Sequence, residues 1–264
     1  STYKFSSAIA IEVDEHTAEI TSIKADGSEV LRTPIHFNIT RYTDNDRDII
    51  PHWIGRCHLN SCKPHIFSCE KTENSYKFKG VLAANCLMPA AEFEIIYIVT
   101  GNVLTATISY KLADYIKSFP RFGIEFGVDK AHGNFSYVGY GPTESYNDKH
   151  VACEYGYYVS SAEENYDRDY IRPQESGSHY ACKYLAVKDL FKVTADKPFS
   201  CSVNPFTTEQ LCETRHSFEL KENDFVNVCI DLAMRGVGSH SCGPVLPKQF
   251  EIPKEGSNTF RFVF

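Results

Sequence analysis

Four stretches of the chain gather side chains able to do chemistry. Thr43-Asp44-Asn45-Asp46-Arg47 sets two carboxylates, an amide and a guanidinium in consecutive positions, groups that pair readily with hydroxyls. The same Thr-Asp-Asn-Asp run is strong turn chemistry, because Asp and Asn side chains bond their own backbone two residues on. Both readings stand. Glu144 and Asp148 occupy a second stretch, and Arg172 and Glu175 a third. Their carboxylates invite an acid/base role, yet bracing is the better reading. Such groups fasten a long loop by accepting backbone N–H bonds or by pairing with arginine, here with Arg172 and Glu175 flanking Pro173. His240, Ser241 and Cys242 stand together in the fourth stretch. A cysteine–histidine nucleophile needs a third orienting group and an oxyanion site, and the sequence displays neither. No catalytic residue is assigned. No His-x-His, His-Glu-x-x-His or Cys-x-x-Cys spacing occurs, so no metal ligand and no cofactor site is assigned in this domain.

The elements that must hold these groups read as strands. In residues 102–112, Leu104, Ala106, Ile108, Tyr110 and Leu112 alternate onto one face, and Phe93, Ile95, Tyr97 and Val99 do the same in residues 91–99. Thr100-Gly101-Asn102 between them predicts a hairpin turn. Residues 3–31 read as strands broken at Asp14 and at Asp26-Gly27. Helix signals are scarce; Thr207, followed by acidic residues, predicts one short helix over 207–213. No linker or repeat divides the chain, which predicts a single domain over residues 1–264: all-β, a large antiparallel super-sandwich with few short helices. Residues 137–177 and 235–244 break the alternation, and long loops on a rigid sandwich are where binding groups sit. Trp53 is expected to anchor packing rather than to offer a platform.

Composition excludes several classes. The chain has 264 residues, 42% hydrophobic and 23% charged, enough for a sizeable core. Its net charge of −7 leaves no basic surplus for a nucleic acid or an anionic membrane. No apolar run reaches the roughly 18 residues of a membrane span. The 18 Phe and 16 Tyr suit half-buried sheet surfaces. Ten cysteines in a chain this long, several of them in apolar runs, read as reduced thiols of a cytoplasmic protein. A start at Ser1 without Met predicts a piece cut from a longer protein.

Four blocks, in order along the chain, carry a resemblance. They are Thr43–Arg47 followed by Trp53, Gly139-Tyr-Gly-Pro-Thr-Glu-Ser-Tyr-Asn-Asp148, Tyr170-Ile-Arg-Pro-Gln-Glu-Ser-Gly177, and Asp231-Leu-Ala-Met-Arg-Gly-Val-Gly-Ser-His-Ser-Cys-Gly-Pro244. Together they resemble the C-terminal domain of the bacterial family 2 β-galactosidases. The resemblance implies a galactose mutarotase-like fold. It also implies a parent enzyme that hydrolyses terminal β-galactosides such as lactose with retention, using two glutamates on an upstream (β/α) barrel. Such glutamates stand about 5–5.5 Å apart across the scissile bond. No βαβ alternation occurs here, so neither is assigned to this chain. The parent family's Mg and Na ions are implied to bind elsewhere.

The resemblance further implies that the last loop reaches the active-site mouth, where some members place a sugar-stacking tryptophan. Cys242 holds that position here, so the loop is expected to act by shape or through His240. Asp44, Asn45, Asp46 and Arg47 are the candidate sugar-facing cluster. The implied partners are a β-galactoside and the barrel of the same chain, with a homo-oligomer as a further expectation. Two other readings stay open: a stand-alone aldose 1-epimerase pairing Glu144 or Glu175 with His36 or His240, and a free carbohydrate-binding module.

Overall fold

The computed structural model describes residues 5–85, 87–238 and 244–264. Among the described residues, fifteen strands join in one hydrogen-bonded sheet, and every paired set is antiparallel. The first four are β1 (Ile9–Val13), β2 (Ile20–Ala25), β3 (Ser28–Glu29) and β4 (Leu31–Asn38). A meander follows: β5 (Lys63–Lys71), β6 (Ser75–Ala83), β7 (Ala91–Thr100) and β8 (Val103–Leu112). Next come β9 (Arg121–Asp129), β10 (Asn134–Gly141), β11 (Glu154–Ser161) and β12 (His179–Val187). The last three are β13 (Phe191–Asn204), β14 (Phe225–Met234) and β15 (Glu255–Val263).

Along the main path the order is β1-β2-β4-β9-β14-β13-β15-β8-β7-β6-β5, with β12, β10 and β11 branching from β13. The sheet curls onto itself. Phe37 of β4 lies 4.6 Å from Phe93 of β7, and Tyr110 of β8 stacks 4.2 Å from Phe122 of β9, although neither pair of strands shares hydrogen bonds. Aromatic rings at such separations fill the space between two packed layers.

Period-two alternation explains the meander. Leu104, Ala106, Ile108, Tyr110 and Leu112 of β8 are all buried, as are Phe93, Ile95 and Tyr97 of β7. Thr100 pairs with Val103 across the turn, and Gly101 sits at φ +58°, which a side chain resists. Alternation fails in β9 and β14, where residues on both faces are buried. In β9 Phe122, Ile124, Phe126 and Val128 face the core, while Arg121, Gly123, Glu125 and Gly127 alternate onto the other side. That second face is covered by the irregular loops, and it carries charge.

Helical structure is brief. α1 (Ala162–Asn165) and α2 (Thr208–Glu213) are joined by short turns, including 44–46 and 51–56. α2 opens with Thr207 as its N-cap, as its sequence predicts, and Gln210 completes a capping box. Trp53, 1% exposed, donates its Nε1–H to Ser118 O at 2.9 Å and is a packing anchor.

Candidate functional site

The loops over β9 and β14 meet around two buried ionic clusters. In the first, Thr43 caps the turn 44–46: its Oγ1 accepts from Asp46 N and donates to Asp46 Oδ2 at 2.9 Å. This turn directs Asp46 inward, where its fully buried carboxylate meets Arg41 (Nε–Oδ2 2.8 Å, Nη2–Oδ1 3.1 Å) and Arg235 (3.0 Å). Arg235 continues to Glu251 at 3.0 Å, and Ser118 Oγ donates to the same carboxylate. Arg41, Asp46 and Arg235 are thus desolvated with charged partners, the condition for burying ions without a large penalty, while Glu251 stays partly exposed.

The residues 44–47 therefore divide. Asn45 donates its amide to Val237 O at 2.6 Å, and Asp46 faces the two arginines. Asp44 accepts from Tyr42 Oη at 2.9 Å, and exposed Arg47 reaches it only at 3.7 Å. As a sugar-facing cluster the block is corrected in part: Asp46 and Asn45 are spent on protein partners, because turn geometry points them into the loops rather than to solvent.

The last loop is held at its stem. Asp148 accepts from Val237 N (3.0 Å) and Gly238 N (2.7 Å), and Arg41 Nη2 donates to Gly236 O at 2.7 Å. A Cβ on Gly236 would sit 2.6 Å from the Asp148 carboxyl carbon, so the carboxylate approaches this closely only past a glycine. His240, Ser241 and Cys242 lie outside the described residues, beyond this stem. Glu144 fastens the neighbouring segment, accepting from Gly177 N at 2.9 Å and from Lys149 Nζ at 2.6 Å.

Arg172 and Glu175 do not pair with each other. Arg172 lies over the Tyr42 ring, 3.5 Å from its centroid, while Glu175 runs inward to Arg121 at 2.9 Å. The chain passing through Pro173 sends the two side chains to different surroundings. Arg121 also grips Asp231 (Nε–Oδ1 2.8 Å), so the second cluster sets two carboxylates on one guanidinium. Glu175 Oε1 is buried without a partner. Burial pushes the Glu175 carboxyl above its usual range; Arg121 opposes the rise and Asp231 adds to it. Burial raises Asp231 as well, again against Arg121.

Sequence reasoning missed Arg41, Arg121 and Glu251. Arg121 and Asp231 were detectable as opposite charges, each embedded in an apolar strand, a pattern that demands a buried partner. Among the described residues, the structure does not bring His36 to Glu144 or Glu175 as an acid/base pair. His36 faces Glu125 at 3.8 Å, Glu144 holds Lys149, and Glu175 holds Arg121. No group of three or more His, Cys, Asp or Glu among the described residues is placed to share a metal ion. The eight described cysteines are free thiols.

Residues 6–264 match the family described as beta galactosidase small chain. The chain belongs to this family. The small-chain domain is 34% identical over 257 residues to a β-galactosidase from Actinobacillus pleuropneumoniae, covering 91% of this chain and 24% of that one. A β-galactosidase from Streptococcus thermophilus is 33% identical, with 83% and 22% covered, and one from Kluyveromyces lactis 27%, with 96% and 26% covered. This sequence thus spans about a quarter of the length of these relatives. The fold is that of a galactose mutarotase-like protein from Lactobacillus casei, with a TM-score of 0.51 at 12% identity, covering 97% of this chain and 96% of that one. A candidate aldose 1-epimerase from Escherichia coli K12 gives a TM-score of 0.52 at 8% identity over the same shares. No helix of the described residues is long and apolar enough to cross a membrane.

Proposed function

We propose that this small-chain domain completes the substrate pocket of a β-galactosidase that hydrolyses terminal β-galactosides with retention. The reactive glutamates belong to the rest of that enzyme, and the 236–244 loop walls one side of the galactoside. The observation carrying this reading is the clamp on the loop's stem: Asp148 and Asn45, from two separate blocks, and Arg41, just before the first block, all bond residues 236–238. Bonds to residues 236–238 tie the base of the loop to the fold, and positioning a substrate requires such anchoring. His240, Ser241 and Cys242 of that loop, with Asp44 and Arg47 left at the surface, are the proposed sugar-facing groups. Any Mg or Na ion serving the reaction is assigned to no residue of this chain.

The test has two arms. The purified chain alone should leave a nitrophenyl β-galactoside intact; turnover would overturn the reading. In the complete β-galactosidase, Asp148→Ala should free the loop and raise KM several-fold while the protein stays folded, and an unchanged KM would count against the loop. Accelerated decay of the optical rotation of fresh α-galactose by the chain alone would point to an epimerase instead.

A further inference from the structure

A cavity of about 400 Å³ opens between β4, β9, α2 and the turn at 59–62, and it shares no lining residue with the loop clamp. At its base is Glu125, 5% exposed, whose Oε1 accepts from Thr208 N at 2.7 Å. Its other oxygen faces His36 Nε2 at 3.8 Å, too far for a hydrogen bond. His36 Nδ1 lies 3.0 Å from Pro34 O, a carbonyl that only accepts, so Nδ1 carries the proton and Nε2 of the neutral ring is an acceptor. Two acceptors therefore face one space, and an occupant must donate to both. Adjacent hydroxyls on neighbouring carbons do this, one to each.

The rest of the lining is mixed: Phe37, Ile54 and Leu59 offer carbon surface beside the polar Asn38, Thr40 and Asn60. Pyranose rings combine hydroxyl edges with C–H faces and match this division. Glu209 and Glu213 at the rim disfavour an anionic ligand. We propose that this cavity binds a neutral, monosaccharide-sized polyol through a vicinal diol shared between Glu125 and His36.

Amide chemical shifts of the purified chain, titrated with D-galactose, D-glucose, glucose 6-phosphate and methylammonium, test it. Saturable millimolar shifts at Glu125, Thr208 and Cys212 are expected with the two neutral sugars, and weaker or no shifts with the other two probes. Glu125→Gln should weaken sugar binding by about tenfold, the scale of one charge-assisted hydrogen bond. Asn60→Trp, made at an exposed position on the rim, should block the mouth and abolish the shifts without touching the core. No saturable shift with either sugar, a response to methylammonium alone, or sugar shifts that survive Asn60→Trp would each overturn the proposal.

Discussion

Arg41, Asp46, Arg235 and Glu251 set two cations against two carboxylates, whereas Arg121, Asp231 and Glu175 set one cation against two. Both clusters are buried beneath the same loops, yet their balance differs. In the first, both Asp46 oxygens have donors, and the cluster bonds directly to the stem of the 236–244 loop. In the second, one Glu175 oxygen has none. Balance marks the cluster that fixes geometry, and imbalance marks the cluster whose carboxyls burial pushes above their usual range.

The comparison breaks most sharply at Asp46. Asp46→Ala leaves two buried guanidinium groups without their shared partner, and denaturant unfolding should show a loss of about 3–5 kcal/mol. A loss no larger than that of a surface change would mean the first cluster is not what holds these loops. Glu175→Gln is expected to cost less than about 1 kcal/mol at neutral pH, since the amide keeps an oxygen for Arg121 and sheds the surplus negative charge. Its signature is in the pH dependence. Because Glu175 titrates above its ordinary 4.5 in the fold, the native state binds that proton more tightly than the unfolded chain does. The wild type should therefore gain stability relative to Glu175→Gln as pH falls through the raised value toward 4.5. His179, lowered by burial from 6.5 to about 4, works in the opposite sense, its contribution fading as pH drops below 6.5. It is common to both proteins, so the difference reports Glu175 together with Asp231, whose titration is coupled to it. The smallest effect is expected at Arg47, 72% exposed and 3.7 Å from Asp44: Arg47→Ala should change stability by less than about 0.5 kcal/mol. A larger change would extend the balanced cluster to the surface.

What the sequence disclosed depended on range. The β7–β8 hairpin was legible because its signal is local: alternation on both sides of a turn containing Gly101. The cap of α2 was legible for the same reason, through Thr207. The short α1 helix carried no comparable apolar period in its four residues. Asp46 showed its turn chemistry but not its partners, since Arg235 lies 189 residues away and only the curled sheet brings it near. Arg172 and Glu175 looked like a pair because they are close in sequence. Their actual partners, Tyr42 and Arg121, come from other loops and strands.

The strand formed by residues 255–263 enters between β13 and β8 and joins β8 along nine consecutive residue pairs. Until that segment leaves the ribosome, two long flanking strands wait with open backbone edges, inviting pairing with neighbouring polypeptides. Closure of this sheet therefore waits on residues 255–263, and a premature stop codon upstream of them would leave an aggregation-prone product rather than a slightly shortened one.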